Sequence, residues 1–256
     1  METQNFGEVS LNLNGNVALV EFSRPPHNYF DYALIRDLGD AFEAAEREGA
    51  RAIVLASEGK SFCAGAAFSG DEGASAGAGP NLYQESLRLF AGKLPVVAAI
   101  QGAAIGGGLG LALVADFRVV AAEARFAGNF VKIGIHPGFG LTHTLPRLVG
   151  IQTAALMLYT GRRVSGAEAV AMGLADRLVH LENLRSEAMA LAAEFAESAP
   201  LAVQATRETL RAGLVEAVDR QQTHERSHQL RLMQTEDYKE GVAAVGERRA
   251  GKWVGQ

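Results

Sequence analysis

An α/β fold with a mainly parallel, layered core and a helical C-terminal part is the architecture this sequence predicts. Three observations lead there. Strand-length apolar runs alternate with helix-period segments along the first two thirds of the chain. Glycine-containing turns connect strand to helix, and after Thr142 the pattern becomes predominantly helical.

Val9–Leu13 and Val17–Phe22 read as strands flanking Asn14-Gly15, a dipeptide favoured in two-residue hairpin turns because both positions take positive φ. Pro25 and Pro26 then break the sheet pattern. Asp31 suits a helix N-cap, and Leu34, Ile35, Leu38, Phe42 and Ala45 fall on one helical face that Gly49 closes. Ala52–Ala56 reads as a buried strand leading into the loop SEGKSFCAGAAFSG. Residues 69–80, SGDEGASAGAGP, form a Gly/Ala/Ser patch whose composition predicts mobility. A helix is expected from about Asn81 to Ala91, then a strand Val96–Ile100. Next come a turn through Gly102–Gly108 into a short apolar helix, and a strand Phe117–Ala121. Ser165-Gly-Ala-Glu168 is a capping-box sequence opening a helix that Gly173 can end, with a short strand at Leu178–Val179. Helical stretches are expected near 184–197, 201–234 and 237–250. This divides the chain into a core over residues 1–197 and a helical region over 198–256.

With 256 residues, 48% hydrophobic and 21% charged, the composition is that of a globular protein able to bury a sizeable core. A net charge of −5 without a Lys/Arg cluster gives no support to a nucleic-acid partner. The lone Cys63 excludes an intrachain disulfide framework and suits a reducing compartment. The polar N-terminus METQNFGEVS lacks a signal-peptide pattern, so a cytoplasmic location is expected. Val96–Ala115 is long enough to cross a bilayer, but Gln101, several glycines and the following Asp116 favour buried strands, which also read as continuous apolar runs. No membrane partner is expected.

Two segments carry the chemical signal: Ser61-Phe-Cys-Ala-Gly-Ala66 after a strand, and Gly102-Ala-Ala-Ile-Gly-Gly-Gly108 between a strand and a helix. Glycine allows a sharp turn and a close approach, leaving N–H groups free to donate, and a helix N-terminus adds partial positive charge. Two such corners meeting in space can bind one developing oxyanion; taken singly, each is as well explained by close packing. A dinucleotide site is a poor competitor, because Gly108-Leu-Gly110 is followed at 113 by leucine where glycine or alanine is required. Neither a Walker A lysine nor a G-x-S-x-G nucleophile elbow is present.

SFCAGAAF resembles the crotonase motif F-C/A-A-G-A-D, and LPVVAAIQGAAIGGGLGLALVADFRV resembles the segment K-P-V-I-A-A-V-x-G-x-A-x-G-G-G-x-E. Further matches follow in order at ARFAGNFVKIGIHPGFGLTHTLPRLVG, YTGRRVSGAEAVAMGLADRLV and EDYKEGVAAVGERRAGKW, covering nearly the whole chain. The sequence is thus similar to the crotonase (enoyl-CoA hydratase/isomerase) superfamily. The resemblance implies a crotonase/ClpP-like spiral of ββα repeats with a C-terminal helical trimerisation region, assembled as a homotrimer or dimer of trimers. It implies an acyl-CoA thioester substrate and no separate cofactor, CoA being part of the substrate. It puts the oxyanion donors at the N–H groups of Ala66 and Gly107, with Ala64, Gly65, Ala67, Phe68 and Gly106 beside the substrate, and Arg248, Arg249 and Lys252 in a basic tail that contacts CoA phosphates in relatives.

The resemblance fails at the acids. Hydratases of the family use two glutamates, and here the aligned positions are Gly110 and Phe130. Standard hydration by a glutamate pair is therefore not expected, and Phe130 makes that wall apolar. An aspartate nucleophile of a related dehalogenase branch aligns with Gly138, so aryl dehalogenation is not expected either. His136, preceding Pro137 and Gly138 in the loop beside the usual reaction centre, is the candidate proton carrier; the alternative is a loop histidine bonded to backbone. Tyr83, Asp71 and Glu72 are further candidates, with packing and solvated charge as their plainer readings.

His224-Glu-Arg-Ser-His228 matches the zinc-protease signature H-E-x-x-H, but its polar surroundings and the lack of a third histidine in the extended motif mark a chance match on a solvated or subunit-facing helix. No metal is expected. The sequence thus describes an acyl-CoA enzyme passing through an enolate-type oxyanion, of the enoyl-CoA hydratase/isomerase family. The alternatives are a non-catalytic acyl-CoA-binding protein and, remotely, a zinc hydrolase.

Overall fold

The computed structural model describes residues 3–66 and 81–256. The chain enters with an antiparallel meander of β1 (Gln4–Phe6), β2 (Val9–Asn14) and β3 (Val17–Phe22). Its hairpin turns on Gly15 and Asn16 rather than on the expected Asn14-Gly15. Asn14 stays paired with Val17, and of the turn residues only Gly15 takes positive φ, +61°. That is the pattern of a II′ turn with glycine first, so glycine alone supplies the freedom the turn requires.

Helix α1 (Tyr32–Arg47) starts where expected, with the Asp31 side chain accepting the Leu34 N–H at 2.9 Å. In chain order the later strands are β4 (Ala52–Ser57), β5 (Val96–Ile100), β6 (Ala103–Ile105), β7 (Phe117–Ala121), β8 (Arg125–Ala127), β9 (Val164–Ser165) and β10 (Arg177–Val179). A 7-stranded sheet runs β1-β2-β3-β4-β5-β7-β10, parallel from β3 onward. A second sheet, β6-β8-β9, takes the strands that follow β5 and β7, and β9, which precedes β10 and pairs antiparallel with β8. Parallel bridges from Phe30 to Ala66 and from Cys63 to Ala104 extend this second row toward the start of the chain. Each turn of the chain thus lays one strand in the large sheet and one in the small row, which is the geometry of a ββα spiral. The short β6 and β8 had no separate signal in the sequence, being three residues each within glycine-rich or mixed segments.

The central strands β4 and β5 are apolar along nearly their whole length because both faces are covered. Ala52, Val54, Ala56, Val97 and Ala99 face one core with Leu184, Ala188 and Leu191 of α6 (Leu184–Ala196). The alternate residues Ile53, Leu55, Ala98 and Ile100 face the other core with Leu34, Ile35 and Leu38. A buried charge sits in the neighbouring strand. Arg118 in β7 is only 2% exposed, and its guanidinium donates to the carbonyls of Leu174 (2.7 Å), Ala115 (2.8 Å) and Asp116 (3.2 Å).

The remaining helices are α2 (Leu82–Ala91), α3 (Gly107–Ala112), α4 (Leu141–Thr160, interrupted at Gly150), α5 (Gly166–Ala171), α7 (Pro200–Leu210), α8 (Leu214–Leu232) and α9 (Glu236–Gly246). The stretch 201–234, expected as continuous, is divided because Gly213 takes φ +75° and starts α8 in a new direction. The Ser165–Glu168 capping box forms as the sequence indicates. Val96–Ala115 is β5, β6 and α3, and among the described residues no helix is long and apolar enough to cross a membrane.

Candidate active site

Backbone pairing holds the two corners together. The Cys63 N–H donates to the Ala103 carbonyl (2.8 Å) and the Ile105 N–H donates to the Cys63 carbonyl (3.0 Å), forming the parallel bridge between Cys63 and Ala104. Ala66 lies three residues beyond this bridge on one arm, and Gly107 lies three residues beyond it on the other. Equal counts from a bridge with the spacing of neighbouring strands, about 4.8 Å, put the two residues at matching positions along the two arms. Each arm bends just before its donor, through Gly65 (φ +115°) and Gly106 (φ +56°). On the outer flank the Phe30 N–H donates to the Gly65 carbonyl (3.0 Å) and the Ala64 N–H to the His27 carbonyl (3.0 Å). Among the described residues, neither the Ala66 nor the Gly107 amide has a hydrogen-bond acceptor. The arms can approach because residue 108 is glycine: a Cβ there would lie 2.0 Å from the Cys63 carbonyl oxygen.

Aromatic rings surround the corners. Phe30 lies against Gly107, where a Cβ would come within 2.5 Å of its ring, and it meets Phe139 edge-on at 5.4 Å between centroids. Phe139 in turn covers Gly110, whose added Cβ would be 2.7 Å from the Phe139 Cβ. Phe130 is buried, and its ring lies beside Gly106. Where the resemblance aligns glutamates, the protein has a glycine under a phenyl ring and a second phenyl ring.

The loop before α4 carries His136, Pro137 and Gly138. His136 is part-buried, with Nδ1 2.8 Å from the Pro137 carbonyl. A carbonyl only accepts, so Nδ1 bears the proton and Nε2 is left as an acceptor. Burial, reinforced by the neighbouring His228 and His224, pushes its pKa below the ordinary value, so the ring is neutral near pH 7. The His136 ring stacks on His228 (5.0 Å, 20°) and lies 6.3 Å from His224. The H-E-x-x-H histidines therefore face the loop instead of standing alone on a solvated helix. Among the described residues, no group of three ligating side chains is arranged to hold a metal ion.

Tyr83 donates its hydroxyl to Gln229 Oε1 (2.8 Å) and backs onto Gly138, where a Cβ would come within 2.3 Å of the hydroxyl oxygen. Burial, with Glu225 nearby, raises its pKa above the ordinary value and keeps it protonated. Ala67, Phe68, Asp71 and Glu72 lie outside the described residues. Arg249 is paired with Glu240 and Glu247.

Sequence reasoning missed the buried polar stripe of α8. Gln222, Glu225 and Gln229 are 1%, 0% and 7% exposed. Gln222 donates to Ser86 Oγ (3.0 Å). Glu225 accepts from the Gly140 N–H (2.8 Å), the Thr142 N–H (2.9 Å) and the Thr142 hydroxyl (2.5 Å). Gln229 donates to the His136 carbonyl (3.0 Å). The signal was present in the spacing: these residues continue, at helical intervals, the stripe begun by buried Leu214 and Val218. Residue type hid it.

The enoyl-CoA hydratase/isomerase family model matches residues 12–256. The chain is similar to a carnitinyl-CoA dehydratase of Salmonella typhi (36% identical over 256 residues, 96% of this chain and 98% of the relative). It is also similar to a crotonyl-CoA hydratase of Syntrophomonas wolfei (33% identical over 259 residues, 97% and 98%). Among solved structures it is similar to an enoyl-CoA hydratase/isomerase from Pseudoalteromonas atlantica, with TM-score 0.87, 28% identity, and 96% of this chain and 100% of that one covered.

Proposed function

This chain belongs to the enoyl-CoA hydratase/isomerase family and is an acyl-CoA enzyme of that family, and from that premise we propose that it stabilises a thioester enolate at the amides of Ala66 and Gly107 and moves the proton with a single base, His136. The observation that carries this reading is the pair of amides without an acceptor among the described residues, each three residues beyond the Cys63–Ala104 bridge and each preceded by a left-handed glycine. As the α-carbon loses a proton, charge collects on the thioester oxygen, where both N–H groups donate to it. His136 is neutral near pH 7 with Nε2 free to accept, the state a general base requires. The names of the relatives point to water addition or elimination on CoA esters. Gly110 beneath Phe139 and Phe130 beside Gly106 instead favour one-base proton transfer, as in double-bond isomerisation or elimination, over glutamate-pair hydration. A homotrimer or dimer of trimers is the assembly proposed, on the resemblance alone.

A panel of crotonyl-, 3-enoyl-, aryl- and malonyl-type CoA esters tests the reading, comparing the native enzyme with His136→Ala. Native enzyme is expected to turn over at least one enolisable thioester. The variant is expected to lose about 10²–10⁴-fold in kcat. Because the neutral imidazole is the active form and its pKa is lowered, activity should fall on the acid side through a pKa below the usual histidine value, and His136→Ala should lack that limb. Equal rates in the two proteins would remove His136 from the mechanism. Crotonyl-CoA hydration at rates typical of two-glutamate enzymes would overturn the one-base assignment.

A further inference from the structure

The loop from His136 to Thr142 is held in a conformation its own residues do not favour. Phe139 is a non-glycine residue at φ +63°, and Gly140 follows at φ +71°. A left-handed bulky residue is rare and strained, so the surroundings must hold it there. Its placement matters, because this backbone puts the Phe139 ring over Gly110 and edge-on to Phe30, which lies against Gly107. The holding groups come mainly from the buried stripe of α8. At the near end Gln229 donates to the His136 carbonyl and accepts from Tyr83, whose hydroxyl lies against Gly138. At the far end the fully buried Glu225 accepts the Gly140 N–H, the Thr142 N–H and the Thr142 hydroxyl. Gly140 is the N-cap of α4 and offers no side-chain cap, so a carboxylate from a residue 85 positions away does that work.

We infer that Glu225 and Gln229 are positioning residues: they clamp the strained loop so that Phe139 and Phe30 hold the Gly107 donor in place, and His136 stays on its site. The inference deepens the proposed function and rests on it for the kinetic part only.

Amide hydrogen exchange of residues 136–142 and steady-state kinetics on the thioester found by the panel together test it. Glu225→Gln sets a side-chain NH2 against a backbone N–H, donor against donor, so it should raise exchange across 138–142 by roughly tenfold or more. It should lower kcat by roughly tenfold or more while KM stays within about threefold, because the loss falls on transition-state stabilisation. Thr142→Val removes only one of the three donors and should shift both readouts the same way, less strongly; it decides the matter if Glu225→Gln fails to fold. Gln229→Leu should free the His136 end of the loop and shift both readouts in the same way. Variants that melt earlier but keep the native kcat would reduce the stripe to a structural brace and overturn the inference, as would unchanged exchange in the loop. If the native enzyme turns over no thioester, the functional reading fails on its own, and loop exchange still decides whether the clamp exists.

Discussion

Gly108→Ala is expected to lower kcat by about 10²-fold or more while leaving a folded protein. The added Cβ would lie 2.0 Å from the Cys63 carbonyl oxygen and 2.7 Å from its carbon. Both atoms are backbone, so no rotamer change relieves the contact, and the two arms must part. They are aligned by the Cys63–Ala104 bridge, whose hydrogen bonds are 2.8 and 3.0 Å long. Separating the arms would move the Ala66 and Gly107 amides off the common point that the proposed function assigns them, and losing one such donor typically costs about 10²–10³ in rate. Overpacking of this kind costs about 1–3 kcal/mol in stability, so the variant should still fold. Kinetics on a reactive thioester together with a thermal melt separate the two effects. A folded variant at full activity would mean that the bridge does not align the donors.

Arg118→Leu is expected to destabilise the fold by about 3–5 kcal/mol, the usual result of removing one member of a buried charged network. Leucine fills much of the space but strands the carbonyls of Leu174 and Ala115, which now accept from the guanidinium at 2.7 and 2.8 Å. The Asp176 carboxylate accepts the Arg118 backbone N–H at 2.7 Å and would lose its nearby cation. Next to it, Asp116 is paired with Arg207 (2.8 Å) and Arg211 (2.5 Å), so the same polar seam ties β7 to α7 and the turn after it. Chemical denaturation measures the loss directly. A change below about 1 kcal/mol would show that water satisfies those carbonyls in the variant.

The large sheet was legible because parallel strands covered on both faces are written as unbroken apolar runs. Ala52–Ala56 and Val96–Ile100 were found for that reason, and α1 was found from its cap and its apolar face. The small row was not legible. Three-residue strands such as Ala103–Ile105 show no period, and they exist because the neighbouring turn of the spiral offers them partners. At the candidate site, motif positions marked Ala66, Gly107 and His136, but spacing alone could not report that one bridge puts the first two in register. The α8 stripe failed for another reason. Gln222, Glu225 and Gln229 read as solvated by residue type, while their burial depends on Ser86, Gly140, Thr142 and the His136 carbonyl, which lie far away in sequence. The H-E-x-x-H match shows the same effect: Glu225 faces the start of α4 while His224 and His228 face His136.

The equal count of residues from bridge to donor has a consequence for how such a protein can diverge. In the proposed mechanism peptide groups do the polarising, so nearly any side chain around them can be exchanged, and with it the reaction, without deleting the device. A single codon gained or lost between positions 63 and 66, or between 104 and 107, would put the partners out of step. Length in these two short arms is therefore under tighter constraint than chemistry, and related chains should differ there by replacement and not by indel.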